Sequence, residues 1–168
     1  MLPLTKVSHE HHDVLWRYVN ELYDMAECLD SDCLDTPGLA EGLPRLREAY
    51  EGLTTQLIPH MDAVEAAVYP TLERLMAEEQ TTVPMAEEHR EIRRLVAALG
   101  AFIDDDGPEH RDRASVLALR RILLRLHTLL RTHLSEEALY IPILEDHLTE
   151  PQEAALARAL DHLAAERL

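Results

Sequence analysis

The sequence predicts an all-α protein, an up-down-up-down four-helix bundle with a short additional C-terminal helix. Three observations carry that expectation. The 168 residues hold only 5 Gly, 1 Phe and 1 Trp, and they are dominated by Leu, Ala, Glu and Arg, which lose little entropy in a helix and make poor strands. Apolar residues recur three and four apart over long stretches, the period of one helical face. The stretches are joined by segments of about 6 to 12 residues, which makes successive helices antiparallel neighbours. The length suits a single domain over residues 1–168, with a motif-bearing bundle at about 6–148 and a closing helix at about 151–167.

The first helix is expected from about Lys6 to Leu29, with Leu15, Val19, Leu22 and Ala26 on one face, before the chain dissolves into the polar "DSDCLDTPG". A second should run from about Leu43 to Met76, with Pro59 and Pro70 interrupting its hydrogen bonds, because each lacks a donor and crowds the carbonyl four residues back. Pro84 suits the opening of a third helix, whose stripe of Ile92, Leu95, Val96 and Leu99 ends at "DDDGPE". A fourth, roughly Arg113 to His147, is apolar around much of its circumference and should be the most buried. Thr149 reads as the N-cap of the closing helix, with Pro151 early in it. At about 1.5 Å per residue the longer helices reach roughly 45 Å, so groups from all four can meet inside.

The net charge of −16, from 32 acidic and 16 basic residues, repels phosphate backbones and anionic lipid and argues against nucleic acid as a partner. The opening "MLPLTKVSHEHHDVLW" lacks the apolar core of a secretory signal, and no run approaches the roughly 18 apolar residues of a membrane span. A cytoplasmic protein without membrane partners is expected. Cys28 and Cys33 are too widely spaced for a C-x-x-C site and read as bystanders at a helix end. No Ser-His-Asp arrangement, Gly-rich phosphate loop or zinc-type cysteine set is visible.

The 10 histidines are more informative, because imidazole is the commonest neutral metal ligand. "HMDAVEAAVYP" (60–70) returns as "HLSEEALYIP" (133–142), and aligned on their prolines the two copies share the frame E-A-x-x-x-P-x-L-E, which makes Glu65 and Glu137 equivalent. His133 precedes its glutamate by four residues, so the pair shares a helical face about 40° wide. His60 precedes Glu65 by five, which in a regular helix turns the glutamate about 140° away and leaves Val64 beside the histidine. A single extra-residue π turn would restore the shared face.

His89 is followed at three and seven residues by Ile92 and Val96, and His12 at the same offsets by Leu15 and Val19, so both sit on buried stripes. His12 is the first choice in its helix. His11, which follows Glu10 as His89 follows Glu88, is its rival. Four helices thus each offer an inward imidazole, and two add a carboxylate. Such groups are costly in an apolar interior unless partnered, and a pair of cations partners them all. Mixed imidazole and carboxylate donors suit iron, manganese or zinc rather than calcium. His127 points elsewhere by about 120° and reads as a core or supporting residue, while His9, His110, His147 and His162 read as surface residues. Tyr50, Tyr69 and Tyr140 read as core packing, with reach into the metal cavity as the alternative.

"EHHDVLW", "HMDAVEAAVYP", "EEHREIRRLV" and "RTHLSEEALYIP", in that order over about residues 8 to 147, resemble the hemerythrin-like, HHE cation-binding domain family. The resemblance implies an oxo- and carboxylate-bridged non-heme diiron centre that binds or reacts with O₂, NO or peroxide. Possible activities are peroxide decomposition of the catalase type and NO consumption. Carried over by position, it makes His12, His60, His89 and His133 ligands and Glu137 a ligand or bridge. Two departures stand out. The family usually has glutamate four residues after the first motif's histidine, where this chain has Val64, so either Glu65 substitutes or that bridge is missing. Oxygen carriers also have a second histidine where this chain has Arg93, which argues against simple reversible O₂ carriage. The competing readings are a zinc or mononuclear metal site and a metal-free structural bundle.

Overall fold

The computed structural model describes residues 4–29, 36–78, 80–104 and 112–165. The side chains of His9, His11, Cys33, His110 and His162 lie outside what is described. The described residues are helical apart from short turns and caps, with no strand among them. Helix α1 is Leu4–Cys28. A long helical run follows as α2 (Thr36–Gly52), α3 (Ile58–Ala63) and α4 (Tyr69–Met76), joined by π turns at Leu53–Leu57 and Val64–Val68. Then come α5 (Val83–Asp104), α6 (Arg113–His147) and α7 (Glu150–Ala165).

The two π turns have one cause. The Ile58 N–H bonds back to the Leu53 carbonyl, and the Tyr69 N–H to that of Val64, each five residues away instead of four. The next residue in each case is a proline, Pro59 or Pro70. A proline in a regular helix has no N–H to give and drives its ring into the carbonyl four back. Widening the preceding turn by one residue relieves the clash without ending the helix. The interruption expected at both prolines therefore takes the form of an inserted residue.

Helix α2 opens at Thr36, earlier than the Leu43 expected from the stripe. Pro37 falls in its first turn, where the missing N–H would have had no partner anyway. At α6 the side chain of Asp112 accepts from the Ser115 N–H at 2.8 Å, an N-cap. At α7 the Gln152 side chain accepts the Thr149 N–H at 2.9 Å while the Gln152 N–H donates to the Thr149 carbonyl, so this start is fixed reciprocally.

Helix α1 packs along α6, α6 along α5, and α2 against both α1 and α5, a closed ring of neighbours. Close approach of the first two elements is permitted at Gly52, where any side chain would collide with the Tyr18 ring. Helix α7 lies against α3, the Val64–Val68 turn and α1.

The buried apolar residues fall into two clusters. The larger fills the body of the ring, from Leu15, Leu22, Leu57 and Met61 to Ile92, Leu123 and Leu130. The smaller closes one end, where Leu156, Ala157 and Leu160 of α7 meet Val64, Val68, Tyr69, Ile141 and Leu144. His60, His89 and His133 sit where their helices pass from one cluster to the other, so a polar layer separates two hydrocarbon regions. Among the described residues no helix is long and apolar enough to cross a membrane.

Candidate metal centre

The polar layer is buried on every side. His12, His60 and Glu137 are each 4% exposed, and His89 and His133 are fully enclosed. Helix α1 supplies His12, α3 His60, α5 His89, and α6 both His133 and Glu137. The last two share a face because they are one turn apart, with His133 Nε2 and Glu137 Oε2 3.6 Å apart.

Glu137 Oε2 is the centre of the arrangement. His60 Nε2 lies 3.3 Å from it, and His12 Nε2 lies 3.6 Å from it on the same side. The His12 and His60 rings meet edge to face, 5.4 Å between centroids. Together these three residues offer ligand atoms all within 4.8 Å of one another. His133 approaches the same oxygen and faces His89 beyond it, Nε2 to Nε2 at 2.9 Å. Two imidazole pairs thus flank one carboxylate.

The outer edges of His89 and His133 are held by carboxylates. His89 Nδ1 lies 2.7 Å from Glu65 Oε1, and His133 Nδ1 lies 2.9 Å from Glu88 Oε2. An ionised carboxylate can only accept, so each Nδ1 carries the proton and donates it. With both rings neutral, the facing Nε2 atoms are then left with lone pairs. Two acceptors at 2.9 Å repel unless something electropositive lies between or beside them. Carboxylate-backed imidazoles with free Nε2 lone pairs are the arrangement that orients histidine toward a metal.

The electrostatics fit that reading. Burial pushes His89 down to about 4, reinforced by neighbouring His133 and partly opposed by Glu65, so its ring is neutral near pH 7. Burial alone would raise Glu137, but the adjacent His60 and His12 rings outweigh it and hold the carboxyl well below its ordinary range. A neutral His89 and an ionised Glu137 are the protonation states that cation binding requires of these two groups. In addition, His12 Nε2 is buried without a hydrogen-bond partner, a cost that a coordinated cation would remove. The donor set therefore fits a cation, on the evidence of an unsatisfied ring nitrogen and a pair of opposed lone pairs.

Glu65 is brought near this cluster but not into it. The π turn at Val64–Val68 is present, yet it delivers Glu65 to the outer edge of His89, away from Nε2. There the Glu65 carboxyl also accepts from Arg93 Nη1 at 2.9 Å. Burial tends to raise Glu65, but Arg93 and His89 together lower it. Val64 is fully buried in the end cluster, so hydrocarbon occupies the position beside His60.

The tyrosines, His127, His147 and Cys28 stand where their patterns pointed, Tyr69 meeting both its expected role and the alternative. The Tyr69 hydroxyl lies 3.3 Å from His89 Nε2 and its ring stacks on that imidazole, so this tyrosine reaches the site while also packing in the core. Tyr50 faces Gly100 in the body core, and Tyr140 packs on the end cluster. His127 Nδ1 donates to the Val19 carbonyl at 3.0 Å and belongs to the α1–α6 contact. His147 is exposed at the end of α6, and Cys28 is exposed at the end of α1. Glu88 and Arg93 were not legible as site residues. Glu88 acts on a histidine of another helix, which no local spacing encodes; Arg93 lies one turn after His89, a spacing that could have suggested it.

The sequence model of the family described as "Hemerythrin HHE cation binding domain" matches residues 4–144, most of the chain and all of the residues around Glu137. No curated protein and no solved structure gives a match.

Proposed function

The chain belongs to the hemerythrin HHE cation-binding family, and on that premise we propose that it is a non-heme diiron protein that binds or reacts with O₂, NO or peroxide. The observation that carries the reading is Glu137, whose Oε2 lies within 3.6 Å of the Nε2 atoms of His12, His60 and His133. One cation would be held by His12 and His60, the other by His89 and His133, with Glu137 between them. Three protein donors for each of two ions leave positions open for a small ligand, whereas a saturated site would not. When bound, the iron pair supplies the electrons and the open positions for a small oxidant.

The protein's own residues do the rest. Glu65 and Glu88 keep the protons of His89 and His133 on Nδ1, away from the cluster. Tyr69 offers a neutral phenol beside His89, since burial raises it well above its ordinary value, and can donate a hydrogen bond to a small ligand there. The two apolar clusters exclude bulk water from above and below. The accompanying fold reading is an up-down-up-down bundle in a cytoplasmic protein. Its partner is a diatomic or peroxide, and the net charge of −16 disfavours nucleic acid.

Metal analysis of aerobically purified protein tests the reading. Near two irons per chain with near-ultraviolet charge-transfer absorption supports it, and O₂ release on adding hydrogen peroxide would identify a catalase-type enzyme rather than a carrier or sensor. A second reading has its own support. His12, His60 and Glu137 by themselves form a two-histidine, one-carboxylate set of the kind that holds a single zinc. Colourless protein with one zinc per chain would select that alternative. A chain that takes up no metal would leave a structural bundle.

A further inference from the structure

Arg93 lies one helical turn after His89 and shares its face of α5. Its guanidinium spans two carboxylates from the neighbouring run. Nη2 donates to Asp62 Oδ1 at 2.7 Å, and Nη1 donates to Glu65 Oε1 at 2.9 Å. The same Glu65 oxygen accepts from His89 Nδ1 at 2.7 Å. Asp62, Arg93, Glu65 and His89 thus form a chain from the protein's surface to the ring nitrogen pair at 2.9 Å.

We propose that Arg93 is a positioning residue for the metal centre. By bridging Asp62 and Glu65 it fixes Glu65 against His89 Nδ1, which aims the His89 Nε2 lone pair at His133 and sets the affinity of the cation position these two histidines form. The inference rests on the metal-binding reading above. Its physical basis is that Glu65 is about a third exposed, at 36% of its side-chain area, and carries several rotatable bonds. Unclamped, it would turn to water and release the imidazole. A lysine replaces the clamp only in part, because a single ammonium keeps the charge but lacks the planar fork that reaches two carboxylates at fixed directions. Ion pairs this exposed add little to folding stability, so the role shows in metal affinity and not in melting.

The test uses the full-length metal-free chain titrated with cobalt(II) against a competing chelator, followed by visible d–d absorption. Arg93→Gln and Arg93→Lys are compared with Arg94→Gln, which removes the same charge one residue away from an exposed pair with Glu91. Helicity and metal-free melting are read first and should be close to those of the unaltered protein in all three. Arg93→Gln is expected to weaken one of the two cobalt positions by about 10- to 100-fold, the usual effect of losing an outer-shell partner, with the other unchanged. Arg93→Lys should recover part of that loss, and Arg94→Gln should lose nothing. If Arg93→Gln binds both ions as tightly as the unaltered chain, or Arg94→Gln weakens binding equally, the positioning role is overturned and the metal centre stands. If the unaltered chain binds no cobalt, the metal reading fails and the clamp fails with it.

Discussion

His89 and His133 face each other through their Nε2 atoms across 2.9 Å, while Glu65 and Glu88 hold the protons of both rings on the opposite edge. With both rings neutral this is a repulsive pairing of acceptors, eased only at His89 by the Tyr69 hydroxyl 3.3 Å from its Nε2, and a cation converts it to an attractive one. Metal binding should therefore stabilise the fold strongly. At a free ion concentration one hundred times the dissociation constant, linkage gives about 2.7 kcal/mol per site. Calorimetric melting of chelator-treated protein before and after adding iron(II) anaerobically, or zinc, checks it. Identical melting curves would count against a metal site.

Glu137 and His133 should be separable by what each removes. Glu137 stands between the two imidazole pairs, whereas His133 belongs to one of them. Glu137→Gln keeps the shape but withdraws the shared charge, so both metals should be weakened. His133→Ala should cost one metal and leave the His12, His60 and Glu137 set able to hold the other. It should also lower stability by about 1–3 kcal/mol, because Glu88 loses its buried hydrogen-bond partner and the missing ring leaves a cavity. Metal content per chain and chemical denaturation of each variant report these outcomes. Equal loss from both substitutions would refute the division into two positions.

Acid should destabilise the metal-free chain in a defined window. His89 titrates at about 4 in the folded protein because burial and His133 disfavour its charge, against an ordinary value of 6.5. Between those two values the unfolded chain takes up a proton that the folded chain refuses, so stability falls as pH drops through that interval, by on the order of 3 kcal/mol from this residue. Glu137 extends the loss below its ordinary 4.5, because its folded form stays ionised where the unfolded form protonates. Denaturation midpoints from pH 7 down to 4 measure this. His89→Gln should flatten the upper part of the curve, and an unchanged slope in that variant would assign the window to other groups.

Much of the architecture was legible because helical periodicity is local. The fourth helix was bounded at Arg113 and His147 from its sequence, as it stands in the structure. His12 and His89 were legible for the same reason, each marked by apolar neighbours three and seven residues on, while His60 and His133 were legible through the motif that repeats before Pro70 and Pro142. Glu65 shows where that logic stops. The slipped spacing correctly suggested an inserted residue before Pro70, but the direction in which the widened turn sends a side chain depends on the partner helix. Here Arg93 and His89 of α5 capture it. Glu88 and Tyr69 act between helices too, on His133 and His89 respectively, and contacts of that kind are set by packing that no single-helix pattern encodes.

Val64 offers the sharpest test of how the cluster is built. It follows His60 by one helical turn and is wholly enclosed among Val68, Ile141 and the leucines of α7. Val64→Glu would place a second carboxylate on the face of His60, where this chain has hydrocarbon. Without metal, burying that charge should be strongly destabilising, by about 3–5 kcal/mol in line with other uncompensated buried charges. With iron bound the new carboxylate gains a cation within reach, so much of the loss should be recovered and the gap in melting temperature between metal-free and loaded protein should widen. A substitution that lowers both melting temperatures equally would mean that position 64 does not look onto the metals, and that the chain's departure from the family pattern there is a matter of packing alone.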